Sequence, residues 1–128
     1  MCVNEIIVNL NDEDLNVYPL NENSINYNIP DGIQPANYRI GKYINRIYTV
    51  IYVGRVDDRS DRGLKDRMLE HLEKYTSGYY FEWNSASSIL DAYKRECNDY
   101  HQWYQNLENK IHPRKPSYPN TYCPCCGQ

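Results

Sequence analysis

No apolar run in this chain approaches the roughly 20 residues that a membrane-spanning helix needs, so no membrane partner is expected. The first ten residues carry no basic flank and include Asn4, Glu5 and Asn9. A secretory signal is therefore not expected, and a cytoplasmic protein is the default. No segment repeats, which excludes solenoid and propeller arrays. Cysteine is scarce over most of the length: of the five, three crowd into Cys123, Cys125 and Cys126, with Cys2 and Cys97 apart. An odd count without a leader does not read as a disulfide framework, so metal binding or free thiols are the better readings. The 128 residues suffice for one compact domain with one hydrophobic core.

Basic residues are missing altogether from residues 1–35, which hold Glu5, Asp12, Glu13, Asp14, Glu22 and Asp31. With the whole chain at −3, the remainder carries +3. Arg39, Lys42, Arg46, Arg55, Arg59, Arg62, Lys65 and Arg67 fall in one stretch of it, diluted by Asp57, Asp58, Asp61 and Asp66. A basic face of this kind suits a phosphate backbone, but with half the run offset the charge by itself favours an ordinary solvated surface.

Residues 2–10 have the composition of an edge strand. Asn11 to Pro35 is rich in Asn, Asp and Pro and reads as loop or weakly ordered arm. Tyr38-Arg39-Ile40 is a short alternating segment, with Gly41 and Asn45 marking a turn. The β-branched and aromatic run Arg46 to Val53, ended by Gly54, is the firmest strand, and the two pair as a hairpin. Leu64, Met68, Leu69 and Leu72 recur at helical spacing up to Tyr75, and Gly78 ends that helix. Tyr79 to Trp83 is a third strand. Asn84 or Ser85 is the expected cap of a second helix that runs to about Tyr104. Pro113, Pro116 and Pro119 then impose an extended tail. The expected fold is α+β, a small three-stranded sheet flanked by helices. Its segments are an acidic arm (1–35), a body (36–115) and a Pro/Cys tail (116–128).

Chemistry-bearing residues sit on these elements in a particular order. Tyr38, Tyr52 and Gly54 lie on the hairpin. Arg67 and His71 are four apart and share one helix face. Glu96 lies on the second helix, with Asn109 beyond it. Each alone is ordinary. Together, Asn37-Tyr38-Arg39-Ile40, Tyr52-Val53-Gly54, Arg67-Met68-Leu69-Glu70-His71, Ala92-Tyr93-Lys94-Arg95-Glu96 and Leu107-Glu108-Asn109 resemble the successive motifs of the GIY-YIG nucleases. The likeness covers roughly residues 36–115. Two departures stand out. Ala36-Asn37 occupies the place of the first motif's glycine, and the loop from Gly54 to Arg67 is long. That loop leaves Arg55, Arg59 or Arg62 as alternative phosphate ligands, with Lys65 beside them.

The resemblance implies a metal-dependent endonuclease acting on DNA. Glu96 would hold Mg²⁺ or Mn²⁺, hard cations that favour oxygen ligands. Arg67 would grip a non-bridging phosphate oxygen. Tyr38 would take a proton from the attacking water, Tyr52 would orient water or phosphate, His71 would assist proton transfer, and Asn109 would brace the site. A tyrosine base has an ordinary pKa of about 10, so nearby cations would have to lower it. The alternative is a non-catalytic DNA-binding domain, or an accessory subunit targeted by a protein partner. No helix-turn-helix or finger array is visible to supply targeting within the chain.

The tail adds a separate possibility. Cys123-Pro124-Cys125-Cys126-Gly127 has the form of a zinc knuckle, which supplies two thiolates of the four ligands a structural site needs. Cys97 and His101, spaced i, i+4 on the second helix, are the expected completing pair, and His112 is the rival fourth ligand.

Overall fold

The computed structural model describes residues 17–57 and 63–128. The expected strand at 2–10 and the side chains of Arg59 and Arg62 lie outside them.

Among the described residues four strands and three helices follow one another. β1 (Tyr18–Pro19) and α1 (Glu22–Asn28) precede the hairpin β2 (Ala36–Ile44) and β3 (Ile47–Val56). Then come α2 (Leu64–His71), β4 (Tyr80–Ser85) and α3 (Ile89–Trp103), the last ending in a 3-10 turn at Tyr104–Asn106. The strands form one antiparallel sheet in the order β1-β4-β2-β3. The α+β class is therefore as the sequence suggests, but the sheet has four strands rather than three.

The additional strand and helix come from the segment expected to be a loose arm. Asn21 caps α1, its side chain accepting from the Ser24 amide at 2.8 Å. Leu20, Ile25 and Ile29 are buried in the main core with Ile40, Leu64, Met68 and Phe81. Three apolar side chains in an Asn-rich stretch give little periodic signal, so tertiary burial rather than local pattern makes this helix.

The hairpin also differs from its expectation. Gly41 is not a turn residue; it lies inside β2, where the register shifts between Ile40 and Gly41. A Cβ there would come within 2.6 Å of the Tyr48 ring and 2.7 Å of the Thr49 carbonyl, so the close approach demands glycine. The turn is the two-residue loop Asn45-Arg46, with φ of 51° and 68°, the pattern of a type I′ hairpin.

Strand alternation then divides the sheet into two faces. Tyr38, Ile40 and Val56 face the core shared with α1 and α2. Asn37 and Arg39 face α3, where Asn37 Nδ2 donates to Asp99 Oδ2 at 3.1 Å. Arg39 pairs there with Glu82 at 2.5 Å and with Asp99 at 3.5 Å. β2 is covered on both sides, which explains its nearly continuous burial. α3 starts at Ser88, not at Asn84 or Ser85: the Ser88 hydroxyl accepts from the Asp91 amide at 3.0 Å, and Asp91 accepts from the Ser87 amide at 2.9 Å. β4 runs on through Ser85 and takes the earlier candidates.

The extended tail is tied down along its length. The Glu108 amide donates to the Ile51 carbonyl at 2.9 Å. Tyr100 Oη donates to the Lys110 carbonyl at 3.2 Å. Among the described residues, no helix is long and apolar enough to cross a membrane.

Candidate functional site

Among the described residues β3 is one of the sheet's two edge strands, and a cavity of about 520 Å³ is lined in part by its residues. Its wall is made by Tyr38, Tyr52, Gly54, Arg55, Val56, Asp57, Arg67, Glu96 and Arg114. Five of the sequence-selected site residues, Tyr38, Tyr52, Arg55, Arg67 and Glu96, from the hairpin, α2 and α3, thus share one wall.

Gly54 is what lets Tyr38 reach it. Tyr38 pairs with Gly54 across the hairpin, and its ring lies over the glycine. A Cβ on residue 54 would stand 2.5 Å from both Cζ and Oη of Tyr38. The missing side chain is therefore the space through which the phenol passes toward the strand edge.

The Tyr38 hydroxyl meets His71 Nε2 at 2.8 Å. Tyr52 stacks on Tyr38 with ring centroids 6.2 Å apart and meets the His71 ring edge-on at 4.9 Å. Burial drives the Tyr38 pKa well above the ordinary phenol value, and the nearby Tyr52 adds to the rise; Arg67 opposes it without winning. Of the nearby cations expected to lower it, Arg67 acts in that direction but is outweighed by burial. Burial and the Arg67 charge lower His71 to about 4, so the imidazole is neutral at neutral pH. The protonated phenol is then the donor and Nε2 the acceptor.

Glu96 enters from α3, its side chain only 12% exposed. Burial raises its pKa, and Arg55 opposes the rise. Arg55 Nη1 donates to Glu96 Oε1 at 2.6 Å, Nε to Asp57 Oδ1 at 3.0 Å, and Nη2 to the Arg114 carbonyl at 2.6 Å. The expected phosphate ligand Arg55 is thus engaged by two carboxylates and a tail carbonyl. Arg67 lines the same cavity, where it is hydrogen-bonded to Tyr38 and interacts electrostatically with Glu70. Glu96 and Asp57 both line the cavity, and both are carboxylates that Arg55 engages.

Two expected residues stand elsewhere. Lys65 pairs with Asp31 at 2.8 Å and is not in the cavity wall. Asn109 is exposed and also outside the wall; its neighbour Glu108 holds this segment to β3. Sequence reasoning missed Asp57, taken as a diluting charge, and Arg114, which no local pattern singles out between Pro113 and Pro116.

A second cluster lies where the tail meets α3. One ligand atom from each of His101, His112, Cys123 and Cys126 can be chosen so that all four lie within 4.8 Å of one another, a grouping that could hold a metal such as zinc. The expected ligand Cys97 is not in it: this thiol is fully buried in a small core with Tyr93 and Cys123. His112, from the tail, takes its place. Cys125 is disulfide-bonded and stands outside the set.

Comparisons with protein families, with curated proteins and with solved structures found no match to this chain.

Proposed function

We propose that the chain is a metal-dependent endonuclease of the GIY-YIG type, hydrolysing DNA phosphodiesters in the cavity beside β3. The supporting observation is the convergence of Tyr38, Tyr52, Arg67 and Glu96 on one wall, with Tyr38 already bonded to a neutral imidazole. Arg67 supplies the cation that receives a non-bridging phosphate oxygen. A water aligned by Tyr52 attacks phosphorus. As its O–H bond breaks, the proton passes to Tyr38 Oη while the phenol's own proton passes to His71 Nε2. The buried phenol never carries a full negative charge, which is why its raised pKa is compatible with relay. Mg²⁺ or Mn²⁺ held by Glu96, with Asp57 close by, would offset charge on the phosphate and on the leaving oxygen. Arg55 favours the ionised form of Glu96 against the effect of burial and keeps it aimed until the cation competes for it.

A second reading is a DNA-binding domain without catalysis, acting as an accessory subunit that a protein partner directs. The Arg55–Glu96 pair at 2.6 Å favours it, because a carboxylate neutralised by the protein has less need of a cation. Plasmid, single-stranded and branched DNA incubated with Mg²⁺ or Mn²⁺ separate the two. Cutting by the wild-type chain that is lost in both Glu96→Ala and Arg67→Ala is the outcome expected for the nuclease. Binding without cutting under every condition rejects it in favour of the second reading.

A further inference from the structure

The tail cluster shares no residue with the cavity wall, and its geometry goes further than proximity. Cys123 Sγ and His101 Nε2 are 3.5 Å apart, and Cys126 Sγ and His112 Nε2 are 3.4 Å apart. A tetrahedral ion with Zn–S near 2.3 Å and Zn–N of 2.0–2.1 Å sets a sulfur–nitrogen edge of about 3.6 Å. Both cross pairs already have this spacing. The largest separation in the cluster, 4.8 Å, leaves about an ångström to close.

Three further features suit a metal ligand set. His112 Nδ1 lies 3.0 Å from the Pro113 carbonyl. A proton on Nδ1 satisfies that oxygen and leaves the Nε2 lone pair directed at the cluster, as outer contacts of ligating histidines do. The knuckle is closed by the Gly127 amide on the Cys123 carbonyl at 2.8 Å, with Gly127 at φ +75°, and by the Cys123 amide on the Gln128 carbonyl at 2.9 Å. Inside this turn the Cys125 amide donates to Cys123 Sγ at 3.4 Å, a contact that favours a thiolate. Cys123 and Cys126 are both free, so no disulfide competes for their sulfurs.

We propose that His101, His112, Cys123 and Cys126 form a structural Zn²⁺ site that clips the tail to α3. Two thiolates and two neutral imidazoles balance the charge of the ion. Soft sulfur with imidazole nitrogen selects zinc over the hard cations suited to Glu96. The clip has a consequence for the cavity. His112 is two residues before Arg114, whose carbonyl receives Arg55. Zinc therefore fixes the strand of tail that holds Arg55 against Glu96.

The test uses the full chain. Elemental analysis after purification and zinc reconstitution should find about one zinc per chain, falling below about 0.2 in Cys126→Ser and in His112→Ala. Glu96→Ala should keep its zinc, which separates this result from any failure of the nuclease reading. Co²⁺ replacement in the wild-type chain should give the strong visible bands of a tetrahedral thiolate site, and this measurement stands even where a variant does not fold. Trypsin should cut at Lys110 or Arg114 only after a strong chelator has been added. A reconstituted wild-type chain with less than about 0.2 zinc, or octahedral cobalt spectra, overturns the proposal.

Discussion

The cavity beside β3 and the cluster under the tail are both built partly from α3, yet they have opposite electrostatic designs. Glu96 and His101 are five positions apart, about 140° around the helix axis, so one helix supplies a ligand to each on different flanks. In the cavity each carboxylate is already answered by a protein cation: Arg55 bonds Glu96 at 2.6 Å and Asp57 at 3.0 Å. In the cluster two cysteine sulfurs and two imidazoles face one another. A metal ion entering the cavity must compete with an arginine. One entering the cluster completes it. On the two proposals, cation exchange is facile at Glu96 and slow at the tail, so EDTA should stop cutting at once and draw zinc from the tail only on longer incubation.

The sharpest way to break this contrast is Glu96→Ala. Loss of the hard ligand should lower cleavage by about 1,000-fold, the scale of several kcal/mol of lost transition-state stabilisation, with zinc content unchanged. Parallel loss of both metals would show that the two centres are not separate.

Gly54→Ala attacks the cavity without touching a charge. The new methyl would sit 2.5 Å from the Tyr38 hydroxyl, and the buried ring has to swing away from His71. Overpacking of this kind costs about 1–3 kcal/mol. Cleavage should fall by about 100-fold as proton relay is lost. Thermal melting and single-turnover rates at saturating DNA read the two effects apart. Unchanged cleavage would remove Tyr38 from the mechanism.

These expectations also show where sequence suffices. β3, α2 and α3 announce themselves through a β-branched run and two helical periodicities, and the order Tyr38, Tyr52, Arg67, Glu96 follows from them. The ion pair of Arg55 with Glu96 spans 41 positions, and no local pattern connects residues so far apart. The rule that residues i and i+4 share a helix face placed Cys97 beside His101. The fold instead buries Cys97, and a ligand from the tail, His112, faces the thiols. α1 was illegible for a similar reason, since Ile25 and Ile29 gain their meaning only from the core they enter.

Acid titration should sharpen the contrast from the other side. His71 has a folded pKa of about 4, below its ordinary 6.5, because of burial and Arg67. Between those values the unfolded chain binds more protons. The contribution is therefore complete above pH 6.5 and is lost as pH falls toward 4, by up to ~3 kcal/mol. Asp99 is pushed up by burial to about 6, so its contribution runs the other way, weakening the fold as pH rises from 3.8 to 6. Asp99→Asn should remove its share of the opposing slope, with the raised Glu96 carboxyl left as a smaller one of the same sign, and denaturant midpoints between pH 4 and 6.5 should then rise more steeply than in the wild type. A flat profile in that variant would contradict the low His71 value.

The smallest expected effect comes from the hairpin tip, and it calibrates the others. Arg46 holds φ at +68°, a backbone region that costs an L-residue about 1 kcal/mol and glycine almost nothing. Glycine returns part of this gain through the larger entropy of its unfolded chain. Arg46→Gly should therefore stabilise the fold by about 0.5 kcal/mol, raising the melting temperature by about 1–3 °C. Asparagine followed by glycine, the pair this substitution creates after Asn45, is also the preferred one for a type I′ turn. Arg46 is exposed and lines no part of the cavity, so cleavage and zinc content should both stay at wild-type values. If either moved with so small a change in stability, losses in Gly54→Ala or Cys126→Ser could no longer be assigned to one centre rather than to the fold as a whole.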